Sequence, residues 1–114
     1  MDLAVSTEEL NGSVVITVGG EVDVYTAPLL RDTLEQRISA GDSRIIVDLD
    51  QVEFIDSTGL GVLVGRLKNV RNRSGSMVIV CTAERVLTVF KLTGLDKVFT
   101  ITDSVGDALA ALRL

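Results

Sequence analysis

The spacing of apolar residues changes several times along the chain between a pattern typical of α-helices and a pattern typical of β-strands. Between residues 26 and 40 apolar side chains recur every fourth position, at Leu30, Leu34 and Ile38, which is typical of an amphipathic helix. Residues 44–49 instead form an apolar, β-branched run of the kind found in buried parallel strands. Strands that alternate with helices predict a mostly parallel sheet with right-handed crossovers. The chain is therefore predicted to be an α/β protein.

The same patterns predict the order β-β-α-β-α-β-α-β-α in a single domain covering residues 1–114, with five strands and four helices. The predicted strands cover 3–5, 13–18, 44–49, 77–81 and 98–101, and the first two form an antiparallel hairpin around a turn at 8–12. The predicted helices cover 26–40, 58–72, a segment containing Val86 and Phe90, and a last segment containing Ala108 and Leu112. If each strand is added to one side of the sheet, all crossover helices lie on one face and the sheet is single-sided.

Helix ends are predicted from residues with capping chemistry. Thr26, Thr82 and Asp103 precede the first, third and fourth helices and are expected to cap them. Gly41 and Gly94 stand where the first and third helices should end.

Composition and charge exclude several classes of function. The net charge is −5 with only one short basic stretch, at 66–73, which argues against nucleic-acid binding. There is no apolar run long enough to cross a membrane and no signal sequence at the start, so a cytoplasmic protein without membrane contact is expected.

Missing residue types restrict the chemistry further. The chain has no histidine, so a Ser-His-Asp triad and the common zinc sites are excluded. Cys81, the only cysteine, lies in an apolar run and is expected to be a buried structural thiol. No cofactor or metal is expected. An enzyme is disfavoured, although carboxylates alone could still hold magnesium or act as a general acid and base.

The most informative segment is V-D-L-D-Q-V-E-F-I-D-S-T-G-L-G at residues 47–61. An apolar strand runs into Asp56, Ser57 and Thr58, and a helix containing Gly59, Gly61 and Gly65 follows at once. A serine at a helix start lies beside backbone N–H groups and the positive end of the helix dipole. The position therefore suits a phosphate or a capping hydrogen bond.

Three interpretations of this junction compete. In the first, Asp56 or Ser57 caps the helix, while Gly61 and Gly65 let it pack closely. In the second, the Gly59-Leu-Gly61 sequence binds a dinucleotide, but the G-x-G-x-x-x-G spacing departs from the usual fingerprint. In the third, Ser57 is phosphorylated, and the added charge changes the surface without unfolding the domain.

The junction F-I-D-S-T-G-L-G-V-L-V-G-R resembles the signature of bacterial anti-sigma factor antagonists, which are stand-alone STAS domains. The resemblance extends to G-G-E-V-D at 19–23 and K-L-T-G-L-D-K-V-F at 91–99. It implies that Ser57 is the phosphoacceptor, with Thr58 a weak second candidate. By the same resemblance, the partner-binding residues are Asp23, Asp56, Ser57, Thr58, Gly59, Gly61 and Arg66.

The resemblance also implies a regulatory cycle. In that family the unphosphorylated protein binds an anti-sigma factor that is also a serine kinase and releases the sigma factor. The kinase phosphorylates the serine, and a metal-dependent serine phosphatase restores it. The alternatives are a STAS domain of another signalling or transporter-regulating assembly, and a small nucleotide-binding domain that uses Asp23 and Asp56.

Two residues near the end of the second strand remain ambiguous from the sequence. Asp23 stands between a strand and a helix, where an aspartate serves as a turn residue as often as it contacts a partner. Tyr25 could be an exposed anchor, but a lone tyrosine is expected to be half-buried.

Overall fold

The computed structural model describes residues 2–112, in which the strands and helices follow the predicted order. The strands are β1 (Leu3–Leu10), β2 (Ser13–Val22), β3 (Arg44–Ile55), β4 (Ser76–Val80) and β5 (Thr100–Thr102). The helices are α1 (Ala27–Ser39), α2 (Ser57–Asn72), α3 (Glu84–Leu92) and α4 (Val105–Ala111), and a short 3-10 turn, Leu95–Lys97, follows α3.

The strands form one sheet in the order β1-β2-β3-β4-β5, in which β1 is antiparallel to β2 and the other neighbours are parallel. The predicted hairpin is confirmed, but its strands are longer than predicted. Its turn consists of Asn11 and Gly12, which both have positive φ angles (51° and 80°). An Asn-Gly pair in this conformation matches the twist of the flanking strands, so pairing continues up to the turn.

The third strand is twice as long as its apolar core predicts. It pairs with β4 only as far as Asp48, opposite Val80, and then continues to Ile55 by pairing with β2. Two register shifts in the β2–β3 pairing accompany this extension, and Val22 lies opposite Ile55 at its end. The carboxyl ends of β2 and β3 therefore project beyond β4 and carry the start of α2.

Helices cover both faces of the sheet, so the prediction of a single-sided sheet is wrong. The three crossover helices α1, α2 and α3 lie on one face, as expected, and contribute Leu34, Leu63 and Phe90 to the main core. The terminal helix α4 packs on the other face, where Ala108 and Leu112 contact a smaller apolar cluster that includes Ile46. Successive residues of the central strands point to opposite faces of the sheet, and apolar residues occur on both faces. Helix α4 buries the apolar residues of the second face.

The three predicted side-chain caps are wrong. The Thr26 hydroxyl does not cap α1 but donates to the carbonyl of Glu21 (2.7 Å). Helix α3 begins after Ala83, and the Thr82 side chain donates instead to Asp50 on β3. The residue preceding α4 is Ser104 rather than Asp103, and the Ser104 hydroxyl accepts the N–H of Asp107 (3.0 Å).

The predicted helix ends are confirmed at both glycines. Gly41 (φ 102°) follows the last turn of α1, and Gly94 (φ 74°) follows that of α3. A left-handed backbone at this position suits glycine because a Cβ atom would clash with the backbone there.

Candidate functional site

The strand-to-helix junction after β3 is organised by Asp56. Its backbone N–H donates to the carbonyl of Val22 (3.2 Å), and its Oδ1 atom accepts the N–H groups of Thr58 (2.9 Å) and Gly59 (3.1 Å). Asp56 is therefore the N-cap of α2. Of the two capping residues that the sequence allowed, the aspartate takes the role and leaves Ser57 free of it.

Ser57 is the first residue of α2, and both Ser57 and Thr58 are exposed to solvent. Two of the backbone N–H groups at this helix start, those of Thr58 and Gly59, already donate to the Asp56 carboxylate. A phosphate on Ser57 would therefore extend outward beside a second negative group rather than be enclosed by the helix end. Its main effect would be on the charge of the surface.

The three glycines of α2 differ in what surrounds them. A Cβ atom at Gly59 would lie 2.6 Å from Cγ1 of Val22 and 2.8 Å from Cγ1 of Ile55, so Gly59 permits α2 to start directly against β2 and β3. A Cβ atom at Gly61 or Gly65 would meet nothing within 4 Å. The prediction that these two glycines serve close packing within the domain is therefore wrong.

This geometry also bears on dinucleotide binding. In that motif a glycine lets the backbone approach the pyrophosphate, which sits on free helix N–H groups. Here Gly59 is buried against Val22 and Ile55, and the N–H groups of Thr58 and Gly59 are occupied by Asp56. The junction therefore lacks the open backbone cradle that this interpretation requires.

Asp23 follows the last residue of β2 and lies at the same end of the sheet as Asp56. Its side chain is buried, and its Oδ1 atom accepts the N–H groups of Tyr25 (2.9 Å) and Thr26 (3.0 Å). Within residues 2–112, its Oδ2 atom has no hydrogen-bond partner. Asp23 thus shapes the β2–α1 loop, as a turn residue would.

The ionisation of Asp23 reflects this environment. Burial disfavours the charged form, but the donors from Thr26 and Tyr25 outweigh burial, so the pKa of Asp23 lies below its ordinary value of 3.8. The residue is therefore a carboxylate at neutral pH, held in place by the loop that it organises.

Tyr25 is 86% exposed, so the expected half-buried position is wrong. Val24 beside it is 58% exposed. The sequence did contain a signal for this arrangement, because a loop of few residues between a strand end and a helix start leaves little protein for a side chain to pack against. The general expectation that a lone tyrosine is half-buried was given more weight than this signal.

Arg66 is placed differently from the other predicted partner-binding residues. It forms an ion pair with Glu35 of α1, and Glu35 also accepts a hydrogen bond from Asn69 (3.4 Å). Arg66 is only partly exposed, and it joins α2 to α1 rather than lying on the outward face with Gly61 and Gly65.

Neither the single thiol nor a metal-binding cluster provides a second reactive site in the part of the chain that the structure describes. Cys81 is buried as predicted, and burial raises the pKa of its thiol, so it is a poor nucleophile at neutral pH. Residues 2–112 contain no cluster of carboxylates and thiols that could hold a metal ion. None of the helices in this range has the length and apolar character needed to cross a bilayer.

Comparison with known proteins agrees with these features. The sequence model of the STAS domain matches residues 4–108. The chain belongs to the STAS domain family. This confirms the resemblance seen at residues 54–66 and accounts for nearly the whole fold.

The relatives of this STAS domain include regulatory binding proteins. The anti-sigma-B factor antagonist of Bacillus subtilis is 37% identical over 102 residues, which cover 89% of this chain and 92% of that protein. An anti-sigma factor antagonist from Mycobacterium paratuberculosis has a crystal structure that matches with a TM-score of 0.93 at 29% identity, covering 99% of this chain and 96% of that one.

The fold is shared with more distant proteins as well. The Bacillus cell fate determinant SpoIIAA in its phosphorylated form matches with a TM-score of 0.74 at 24% identity, covering 96% of this chain and all of that one (100%). At this level of identity the match shows a common fold.

Proposed function

We propose that the protein is an anti-sigma factor antagonist whose partner binding is switched by phosphorylation of Ser57. In the unphosphorylated state it binds an anti-sigma factor that is also a serine kinase, and the sigma factor is released. The kinase phosphorylates Ser57 and dissociates, and a metal-dependent serine phosphatase restores the binding form. The observation that carries the proposal is an exposed Ser57 at the capped start of α2, in a STAS domain whose relatives bear the name antagonist.

The proposed contact surface is the end of the sheet where β2 and β3 project. Ser57 and Thr58 present small side chains there and Gly61 has none, so a partner can approach the helix backbone closely. Asp56 and Asp23 act mainly by holding the α2 start and the β2–α1 loop in shape.

The remaining two predicted partner-binding residues, Gly59 and Arg66, support the contact surface from within the domain. Gly59 lets α2 begin against β2 and β3. Arg66 acts on the surface through Glu35, because their ion pair fixes α2 against α1.

A phosphate on Ser57 would add about 1.5 to 2 negative charges beside Asp56. A partner that covers this surface would have to desolvate those charges, and two N–H groups of the helix start, those of Thr58 and Gly59, already pair with Asp56. Moving a partner from nearly all bound to nearly all free needs about 5.5 kcal/mol of differential binding, which is the scale expected of an unpaired buried phosphate. The switch therefore requires no rearrangement of the domain.

The protein itself performs no reaction in this scheme. The kinase supplies ATP and the catalytic groups, and Ser57 is a substrate. The antagonist needs no cofactor and makes no direct contact with nucleic acid or membrane. It acts in the cytoplasm, where its partners act.

The test is to incubate the purified protein with candidate anti-sigma factor kinases and Mg-ATP and to locate the phosphate by mass spectrometry. We expect modification of wild type and of Thr58→Ala at Ser57, and none of Ser57→Ala. In calorimetry, Ser57→Ala should bind the kinase persistently and Ser57→Asp at least a hundredfold more weakly. Equal binding of the two variants would overturn the switch.

A further inference from the structure

The β2–α1 loop carries an apolar surface that the phosphorylation switch does not explain. Val24 is 58% exposed and Tyr25 is 86% exposed, and Leu29 in the first turn of α1 is half-exposed. Apolar side chains that remain together in solvent often mark a binding surface, and tyrosine is enriched among the residues that dominate binding energy.

The loop holds these side chains outward in a defined conformation. Asp23 accepts the backbone N–H groups of Tyr25 and Thr26, the Thr26 hydroxyl donates to the carbonyl of Glu21, and the N–H of Ala27 donates to the carbonyl of Asp23. A side chain carried on such a preorganised loop loses little backbone entropy on binding. The exposure of Tyr25 is therefore a property of an ordered loop.

This surface is continuous with the junction at Ser57. The N–H of Asp56 donates to the carbonyl of Val22, two residues before Val24, so both segments leave the same end of the sheet. A partner that covers Ser57 therefore also meets the loop.

We infer that Val24 and Tyr25 form an apolar anchor that inserts into an apolar pocket on the anti-sigma factor. This inference rests on the proposed function and adds a division of labour to it. The anchor sets the affinity for the partner, and phosphorylation of Ser57 sets whether that affinity is available. Substitution of the anchor should weaken binding to the kinase. It should not change the ratio of the dissociation constants of Ser57→Ala and Ser57→Asp.

A matched control is available in Leu92, which is 82% exposed at the last residue of α3. Because α3 returns the chain between two parallel strands, its last residue lies at the opposite end of the sheet from Ser57. Removing apolar surface from Leu92 should therefore leave partner binding unchanged.

The experiment measures binding of Tyr25→Ser, Val24→Ser and Leu92→Ser to a panel of purified anti-sigma factor kinases by calorimetry. We expect at least tenfold weaker binding for Tyr25→Ser, a smaller loss for Val24→Ser, and a change within twofold for Leu92→Ser. Circular dichroism checks that each variant has the wild-type melting temperature.

Failures of the two proposals are distinguishable. If Tyr25→Ser binds like wild type while Ser57→Asp does not bind, the anchor is wrong and the switch stands. If Ser57→Asp binds like Ser57→Ala while Tyr25→Ser is weakened, the anchor stands and the switch is wrong. If sedimentation shows that wild type self-associates and Tyr25→Ser does not, the surface joins two copies of this chain, which overturns the inference. Absence of binding to every kinase of the panel overturns both proposals.

Discussion

The two sides of α2 use the same residue type for opposite reasons. On the side that faces the sheet, the buried position 59 requires glycine because a Cβ atom there would collide with Val22 and Ile55. On the outward side, Gly61 and Gly65 have open space where a Cβ atom would extend. Each interior glycine destabilises a helix by about 0.5 to 1 kcal/mol relative to alanine. Packing within the domain therefore explains why residue 59 is a glycine, but it does not explain Gly61 or Gly65.

This difference separates what the domain needs in order to fold from what it needs in order to bind. A residue that lowers helix stability without improving any contact within the domain is expected to have a use outside it. The outward glycines lie on the helix that begins with Ser57, where the proposed partner docks. Substitutions on the two sides of α2 should therefore change stability in opposite directions.

The largest effect on stability is expected from Gly59→Ala. The added methyl group must displace Val22 and Ile55 in a packed core, which should destabilise the domain by about 2 kcal/mol even after the gain in helix propensity. Urea unfolding followed by circular dichroism measures this change. A variant as stable as wild type would show that the contact at Gly59 relaxes freely and would remove the contrast between the two sides.

The double variant Gly61→Ala/Gly65→Ala should change stability in the other direction. The two outward methyl groups meet no atoms of the domain, so helix propensity alone should stabilise it by about 1 to 2 kcal/mol. Binding to the anti-sigma factor kinase should weaken at the same time, since the methyl groups occupy the space of the partner. Unchanged binding in calorimetry would mean that the partner does not approach this side of α2.

Asp56→Ala tests the cap that separates the buried and the exposed parts of the junction. Loss of the two hydrogen bonds to Thr58 and Gly59 should destabilise the domain by about 1 kcal/mol. Ser57→Ala is the matched control and should lie within about 0.5 kcal/mol of wild type, because Ser57 is exposed and does not cap the helix. Equal losses in the two variants would contradict the assignment of the cap.

The smallest effect is expected from acid titration of Asp23. Its pKa is lowered in the folded state, so the carboxylate stabilises the fold above its ordinary value of 3.8, and that contribution is lost as the pH falls from there through the lowered pKa. Asp23→Asn should remove this part of the pH dependence of the melting temperature. Exposed Asp103→Asn serves as the control, and identical profiles for wild type and Asp23→Asn would contradict the role of the loop carboxylate.

Local patterns in the sequence predicted the order of the elements and the position of the junction. The four-residue period of α1, the apolar run at the start of β3 and the glycines after α1 and α3 each depend on near neighbours in the chain, and each prediction was confirmed. Side-chain caps were predicted less well. Thr82 has the right chemistry, yet it binds Asp50 on a neighbouring strand, a partner that no local pattern reveals.

The candidate site shows the same division. The sequence by itself determined that an aspartate and a serine stand between a strand and a helix, that no histidine is present for catalysis, and that the chain has the STAS signature. Only the tertiary structure decided that Asp56 takes the helix N–H groups, that Gly59 is buried, and that Tyr25 is exposed. The physical reason is that capping geometry, glycine packing and exposure depend on segments far apart in the chain. The extended pairing of β2 with β3 brings those segments together, and the residue types alone do not specify that pairing.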